Sequence, residues 1–365
     1  MDSIVFYQPI YDPKKRDTNS GTVIRPRCMK NAFSQLGYHV IDINGSFDER
    51  KSKTEAAVTC DMPPKLVYCE SANTPFCFSG KNHLDIRMMS DFHNLKRLKR
   101  VAKLGFYYRD IFWAEKTYYK EFGRIKGRIL KALFRYEYKK LIDLVDVFYV
   151  QSDEMKREFP YHEEYKEKFK LLPPGCEDRN LDFFGKSGNA INILYSGACD
   201  NNTKYNVSPL FDILRHNNAC TLTINSAKGE SIYGDLRQDK ALHNRLFFRN
   251  LDYDHMDQYD QKFTAGLVWL SGNNEDIKKY LPIKVFYYLS MGLPIIAMDH
   301  TAAGRYVTEN HIGWTYKDID DLNRLLEEIK QSESDAEKMH ARLLEFRKTQ
   351  MWINRAKYVE ETLLQ

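Results

Sequence analysis

Short apolar runs separated by longer amphipathic segments make up the first half of the chain. The runs are rich in the β-branched and aromatic residues that favour strands, and the segments between them repeat apolar residues at helical spacing. Strands are predicted at residues 3–9, 38–43, 65–70, 104–110 and 145–151. Helices are predicted after Pro26 as far as 37, at 84–103, at 114–144, and behind an N-cap at Ser152 or Asp153. This alternation indicates a parallel sheet with helices on its faces.

A second series of the same kind follows a break. Residues 170–178 read KLLPPGCED, whose prolines and glycine interrupt the rhythm. The later predicted strands are 191–196, 220–225, 245–248, 265–270 and 294–298, and the helices are 206–216, 282–291 and a charged tail from 318. We therefore predict a first domain over 1–175, a second over 185–345, and a C-terminal helix over 346–365 that can cross back to the first domain.

The composition is that of a folded protein without a membrane span. Of 365 residues, 43% are hydrophobic and 29% are charged, and the net charge is +5. No apolar stretch approaches the ~20 residues of a membrane helix, and the first residues lack the pattern of a signal peptide. The seven cysteines are scattered without a C-x-x-C pair, which argues against disulfides and a zinc site. We expect a cytoplasmic protein with reduced thiols.

The most informative stretch is PIKVFYYLSMGLPIIAMDH, residues 282–300. Pro282 suits the first turn of a helix, Gly292 suits its C-terminus, and Pro294 prevents its continuation into the next apolar run. A helix N-terminus presents free amides and the positive end of the helix dipole, so it can seat a phosphate. An ordinary helix–strand pair of the core would show the same pattern.

This stretch resembles the donor-site helix of the retaining glycosyltransferases with the GT-B fold, which include bacterial mannosyl-, galactosyl- and glucosyltransferases. Many members carry the run Pro-x-Lys-x-x-Glu-Tyr-(Leu/Met)-(Ala/Ser)-x-Gly-x-Pro-Val-Ile. The matching residues here are Pro282, Lys284, Tyr288, Leu289, Ser290, Gly292, Pro294, Ile295 and Ile296, with Tyr287 in place of the Glu. Further similar segments follow in the family's order: GTVIRPRCMKNAFSQLGYHV, VDVFYVQSDEM, KLLPPGCED, ILYSGACDNNTK and RYVTENHIGWTYKDIDDL.

The resemblance implies two Rossmann-like α/β/α domains that face an interdomain cleft and bind a nucleotide-sugar donor, for example a UDP-sugar. No other cofactor is implied. The donor-binding residues are expected to be Gly21, Gly197, Lys204, Asn225, Ser226, Lys279, Pro282, Ile283, Lys284 and Tyr287. Arg25 and Arg27, placed on the loop after the first strand, are expected on the acceptor side.

Arg109 and Asp110 leave the strand 104–110 at its carboxyl end, where α/β folds collect ligands. We predict both as catalytic residues, with Asp110 holding or deprotonating an acceptor hydroxyl. An Arg–Asp pair that caps the following helix is an equally good interpretation.

Two family features are missing from the sequence. The family's E-x7-E motif places one glutamate near the donor sugar and one on the ribose, and the aligned positions here are Lys279 and Tyr287. An Arg of the second-domain loop is replaced by Ala198, while Lys204 is kept. One lost charge-assisted hydrogen bond is worth roughly 1.5–3 kcal/mol, so transfer activity survives if the lysines or the Tyr287 hydroxyl compensate.

Two Asp-x-Asp pairs, Asp252/Asp254 and Asp318/Asp320, resemble the metal-binding pair of the metal-dependent GT-A enzymes. A chain with this many aspartates contains such pairs by chance, and neither clearly ends a buried strand. We therefore expect no metal.

Basic residues concentrate in segments 94–103 and 114–140, where apolar residues also recur at helical spacing. We predict that these segments hold the protein on an anionic membrane surface, although a solvated face over an ordinary core would look similar. No nucleic-acid-binding motif accompanies the charge, and the oligomeric state is not predicted.

The sequence thus favours a metal-independent, retaining glycosyltransferase of bacterial surface polysaccharide or glycoconjugate synthesis. It would work in the cytoplasm or on the inner face of the cell membrane, with a glycan or lipid-linked acceptor. The alternative is a catalytically inactive subunit that binds sugar nucleotides and serves a partner enzyme. A nicotinamide oxidoreductase is disfavoured because no G-x-G-x-x-G follows the first strand.

Overall fold

The computed structural model describes residues 1–9, 21–70, 88–115, 123–177, 179–185, 190–201, 205–271 and 278–365. The chain divides into two compact units. The first unit consists of Met1–Pro173 together with Trp352–Gln365, and the second unit is Pro174–Met351.

The first unit is built on a parallel sheet of six strands in the order β2-β1-β3-β4-β5-β6. The strands are β1 Ser3–Tyr7, β2 His39–Ile43, β3 Leu66–Glu70, β4 Lys103–Tyr107, β5 Val147–Val150 and β6 Phe169–Leu171. β1 and β3 are almost wholly buried, as expected for central strands covered on both faces. The strand order changes direction between β1 and β3, and ligands of α/β sheets bind beyond the carboxyl ends at such a point.

Helices connect these strands. They are α1 Gly21–Gln35, α2 Phe47–Thr59, α3 Met88–Lys99, α4 Arg124–Leu144 and α5 Asp153–Arg157. Ser46 and Glu49 form a capping box at the start of α2, and the Ser152 hydroxyl caps α5 by accepting from the Met155 amide. Each cap satisfies backbone donors that a helix start would otherwise leave unpaired.

The second unit repeats the architecture with six parallel strands in the order β12-β11-β10-β7-β8-β9. The strands are β7 Ile191–Ser196, β8 Cys220–Asn225, β9 Leu246–Arg249, β10 Ala265–Val268, β11 Ile295–Met298 and β12 Gly313–Tyr316. The helices are α6 Ser208–His216, α7 Gly229–Tyr233, α8 Ile283–Ser290, α9 Ala302–Glu309, α10 Ile319–Gln331 and α11 Glu333–Thr349. The order changes direction between β7 and β10, which places the expected ligand edge beyond those two strands.

The last helix, α12 Trp352–Leu364, belongs to the first unit. The Tyr149 hydroxyl of β5 lies 2.6 Å from the Thr362 hydroxyl, and Leu363 lies so close to Gly105 that a Cβ there would come within 2.9 Å of it. The predicted final segment, 346–365, therefore starts within α11, and the chain leaves the second unit only after Met351.

The start of the first helix differs from the prediction. Pro26 suggested a helix start, but α1 begins at Gly21 and contains Pro26 in its interior. The prediction therefore placed Arg25 and Arg27 on a loop, which is wrong, since both lie on α1.

Candidate functional site

The candidate site of the second unit lies at the carboxyl ends of β7 and β10. Tyr288 of α8 links the two strands there, because its hydroxyl donates to the Leu267 carbonyl at 2.9 Å and accepts from the Ser196 amide at 2.9 Å. Its ring lies against Gly266, where a Cβ would come within 2.2 Å of ring atoms. A glycine is therefore needed beneath the ring, and α8 is fixed against the end of the sheet.

Lys284 is the central side chain of this site. Its Nζ is buried. It lies 2.9 Å from the position that a Cβ on Gly197 would occupy and 4.4 Å from the centre of the Tyr195 ring. Gly197 has a φ of +149°, which favours glycine. In the described residues the Lys284 ammonium has no hydrogen-bond partner, and burial lowers its pKa to about 8. A buried cation in this state is costly unless an anion joins it.

Asn225 and Ser226, predicted as donor-binding residues, stand at the end of β8 beside the same loop. The Asn225 side chain exchanges hydrogen bonds with the Leu251 backbone, donating at 2.9 Å and accepting at 2.8 Å. Its carbonyl accepts from the Gly197 amide at 3.0 Å. The side chain of Asn225 is therefore held by Leu251, and its backbone carbonyl helps to position Gly197. The half-exposed Ser226 lies close enough to form a hydrogen bond with the buried Cys199 thiol.

Tyr287 occupies a position where the resemblance expects a glutamate. Its hydroxyl is buried and lies 3.3 Å from that of Tyr259. Burial raises the pKa of Tyr287 to about 12, although hydrogen bonds with Tyr259, Ser196 and Asn225 lower it. The hydroxyl therefore stays neutral at physiological pH and belongs to the polar network around Ser196.

The approach to α8 holds the remaining predicted donor residues. Pro282 stands at the N-cap with extended backbone, and Ile283 is the first helical residue, so the helix starts one residue later than predicted. Lys279 is buried, with its Nζ 5.6 Å from the centre of the Tyr280 ring. The structure brings Gly197, Asn225, Ser226, Lys284 and Tyr287 together. Lys204 lies outside the described residues.

In the first unit, a buried charge cluster lies at the carboxyl ends of β3 and β4. The Arg25 Nε is 3.3 Å from a Glu70 carboxylate oxygen, and the other oxygen is 3.9 Å from an Arg109 nitrogen. The Arg25 guanidinium also lies 3.5 Å from the centre of the Tyr107 ring. Arg25 and Glu70 are each no more than 3% exposed. The sequence predicted Arg25 and Arg109 as site residues, but the carboxylate that lies between them was missed.

The other first-unit predictions fall around this cluster. Gly21 is the first residue of α1, and Arg27 is half-buried on the same helix. Asp110 is partly exposed just beyond β4. The pKa of Tyr107 is raised mainly by burial, and the nearby charge of Asp110 raises it further. A Glu70 signal was present in the sequence, because a carboxylate directly ends an otherwise apolar strand.

Both Asp-x-Asp pairs cap helices. The Asp252 carboxylate accepts from the Asp254 and His255 amides at the start of a 3₁₀ helix, and the Asp318 carboxylate accepts from the Asp321 amide at the start of α10. Among the described residues, no group of three or more potential metal-binding side chains is found.

Comparisons with known proteins give a family match for part of the chain. Residues 224–365 match the family model described as glucosyltransferase 3-like, C-terminal domain. This segment includes α8 and the end of β8, but it covers less than half of the chain. No curated protein sequence matches the chain.

Solved structures match the whole chain. HepE of Anabaena, solved with UDP, is 12% identical over 99% of both chains, with a TM-score of 0.62. Sucrose-phosphate synthase of Thermosynechococcus elongatus is 13% identical over 98% of both chains, with a TM-score of 0.63. WaaG, a glycosyltransferase involved in lipopolysaccharide biosynthesis, is 12% identical over 99% of both chains, with a TM-score of 0.55. At such low identity the likeness concerns the fold alone, and the chain has the GT-B fold that its sequence predicts.

Proposed function

We propose that this protein is a glycosyltransferase that takes a sugar from a nucleotide-sugar donor. The observation that carries the proposal is the buried, unpartnered Lys284 ammonium at the point where the sheet order of the second unit reverses. The match of residues 224–365 to the glucosyltransferase 3-like model supports it. HepE, a structure with the same fold, was solved with UDP and with UDP-glucose, which favours a UDP-sugar as donor.

The donor diphosphate is proposed to contact Lys284 beside Gly197. The absence of a side chain at Gly197 lets phosphate oxygens approach the backbone there. The positive charge of the lysine stabilises the negative charge that develops on the leaving diphosphate. Lys279, Lys204 and the amides at the start of α8 are proposed to add to this positive environment. By resemblance, transfer is proposed to retain anomeric configuration and to need no metal.

The acceptor is proposed to contact the first unit near Arg25, Arg27, Arg109 and Asp110, where Glu70 joins the set. A carboxylate between two guanidinium groups can hold the hydroxyls of a sugar, since it accepts hydrogen bonds that the arginines do not. A glycan or lipid-linked acceptor of surface polysaccharide synthesis fits this chemistry, with the enzyme in the cytoplasm or on the inner face of the membrane.

An inactive, nucleotide-binding subunit is the second candidate, because Lys279 and Tyr287 stand where the resemblance expects both glutamates. Incubation with UDP-, GDP- and dTDP-sugars in excess EDTA separates the two, with release of the nucleoside diphosphate as the readout. Turnover would rule out the inactive subunit. Turnover that requires added metal would contradict the metal-independent mechanism.

The donor site is tested by the variant Lys284→Met. We expect the affinity for the nucleotide-sugar that raises the melting temperature of the wild type to fall by about 10- to 100-fold, because a charge-assisted contact disappears from a buried site. The melting temperature without ligand should stay equal or rise, since the variant removes an unpaired buried charge.

Lys240→Met is the matched control, because Lys240 is an exposed lysine of the same unit. It should keep the full nucleotide response. An unchanged response of Lys284→Met, in a protein that melts normally, would remove the proposed diphosphate site.

A further inference from the structure

The outer face of α4 exposes large apolar side chains. Ile125 is 79% exposed, Ile129 is 58% exposed and Tyr136 is 43% exposed. Together with the exposed Ala132 they follow one another at spacings of four, three and four residues, so they form a single stripe along the helix. The opposite face carries the residues that pack on the first unit, among them Leu130, Phe134 and Leu141.

Basic residues flank this stripe on both sides. At about 100° per residue, Arg128 and Arg135 lie along one border of the stripe, and Lys126 and Lys140 lie along the other. Arg124, Arg128 and Arg135 are exposed, and they make no ion pair within the part of the chain that the structure describes.

Acidic groups of α4 do not offset these charges. The helix contains two, and Glu137 is buried on the inner face. Asp143, near the C-terminus, accepts from the Tyr165 hydroxyl at 2.6 Å and pairs with Lys139. The middle of the exposed face is therefore apolar and positive.

In the other basic segment, 94–103, acidic residues pair with most of the bases. Arg97 pairs with Glu55, and Lys99 and Lys103 both contact Asp146. Its apolar residues Leu95 and Leu98 are buried. Three of its five bases are thus paired, and although Lys96 and Arg100 are exposed, the segment offers no apolar stripe beside them. The surface that combines exposed apolar and basic residues is therefore the outer face of α4.

We propose that the outer face of α4 lies on an anionic lipid leaflet, with Ile125, Ile129 and Tyr136 inserted and the flanking bases at the phosphate groups. An apolar stripe between two rows of bases fits the boundary between headgroups and acyl chains. A polyanion such as RNA would use the bases without needing the isoleucines. The inference deepens the membrane-facing part of the proposed function, on which its biological role rests, but it needs no sugar transfer to be tested.

The test is sedimentation of the full chain with vesicles. Vesicles of phosphatidylglycerol and phosphatidylcholine in equal parts should bind the protein, whereas phosphatidylcholine alone should not. The variant Arg128→Glu/Arg135→Glu should lose at least about 25-fold in affinity, at roughly fivefold for each base removed. Ile125→Ser/Ile129→Ser should weaken binding by about tenfold or more, because it removes the inserted groups.

Lys338→Glu/Arg342→Glu is the matched control, because it makes the same change in charge at exposed positions of α11. It should bind like the wild type. No binding to mixed vesicles, equal binding to both kinds, or an isoleucine variant that binds normally would overturn the proposal. Vesicle binding by a protein that shows no response to any nucleotide-sugar would keep this inference and remove the donor site.

Discussion

At the residue scale, the position of Lys284 lowers the stability of the folded protein. A lysine that loses its water without gaining a partner destabilises the folded state, and its lowered pKa expresses this cost. The Tyr195 ring, whose centre is 4.4 Å from the ammonium, offsets only part of this cost. Neighbouring groups give it no hydrogen bond among the described residues, because the Tyr195 hydroxyl donates to the Ala198 carbonyl at 2.6 Å and Gly197 has no side chain. Residues that break a local rule in this way are expected at functional sites.

The pKa of Lys284 predicts how donor binding depends on pH. Below about pH 8 the ammonium is already protonated, so binding of a diphosphate is insensitive to this group. Above that pH the free protein has lost the proton, while the bound anion favours the charged form. Binding must then take up a proton, and the affinity should fall by up to about tenfold for each pH unit.

Calorimetric titration with the responding nucleotide-sugar at a series of pH values measures this dependence. Lys284→Arg should bind with a flat profile over the same range, because arginine stays protonated. A wild-type affinity that is equally flat above about pH 8 would show that the lysine does not contact the anion.

Whether the sequence predicts a feature of this site depends on whether neighbouring residues or distant contacts determine it. The spacing of Pro282, Lys284 and Gly292 is local, so the sequence identified the lysine and the end of its helix. The lack of a partner for Lys284, and its contact with Gly197, depend on how α8 packs on β7. Residues far apart in the sequence make these contacts, and no local pattern records them.

At the element scale, one buried ion pair joins α2 and α3 to the sheet of the first unit. The Arg50 guanidinium donates to both Asp91 carboxylate oxygens, at 2.8 and 2.7 Å, and also to the Gly45 carbonyl. The Tyr7 hydroxyl at the end of β1 bonds the same carboxylate. Burial, followed by the charge of Asp91, raises the pKa of Tyr7 well above its usual value.

We predict that breaking this pair from one side is far more harmful than replacing it. Arg50→Met and Asp91→Leu should each lower the free energy of unfolding of the first unit by about 3–5 kcal/mol, because each leaves a buried charge without its partner. The double variant should cost clearly less than the sum. Urea unfolding of the single and double variants gives the coupling energy.

The exposed pair of Arg324 and Asp321 on α10 provides the control for this cycle. Arg324→Met should change the stability of the second unit by less than about 1 kcal/mol, as is usual for solvated pairs. Additive costs at Arg50 and Asp91 would contradict the pairing.

The predicted elements agree with the structure where a buried strand has a continuous run of apolar residues in the sequence. Central strands such as β3 and β7 are apolar along nearly their whole length, so the sequence located them to within one or two residues. The helix α2 was missed because its sequence, FDERKSKTEAAVT, buries only Arg50, Thr54 and Ala57. Strand β12, GWTY, was missed because it is short and only its last residue is fully buried.

At the scale of the whole molecule, the two units repeat one plan with different chemistry at the ligand edge. In each, the strand order reverses beside the first strand of the series, and polar residues gather at the carboxyl ends there. The first unit presents a carboxylate between two arginines, whereas the second presents a lysine beside a glycine, with no hydrogen-bond partner for that lysine in the part of the chain that the structure describes. No helix among the described residues is long and apolar enough to cross a bilayer.

The return of α12 to the first unit predicts the effect of a truncation. Trp352, Ala356, Val359 and Leu363 are buried, and Glu360 accepts from Lys65 at 3.0 Å. A chain that ends at residue 351 should lose more than about 4 kcal/mol of stability in the first unit, about what truncating one or two large core side chains costs. The second unit should unfold as before, since all of its own residues remain.

Calorimetry combined with hydrogen exchange separates the two units in this experiment. Amides of β4 and β5 should exchange faster in the truncated chain, because α12 packs beside them, while amides of β7 and β10 should keep their protection. Removal of only Leu364 and Gln365, both exposed, is the control and should change neither unit. Equal loss of protection in both sheets would mean that the units do not unfold independently, and unchanged protection of β4 would mean that α12 contributes nothing to the first unit.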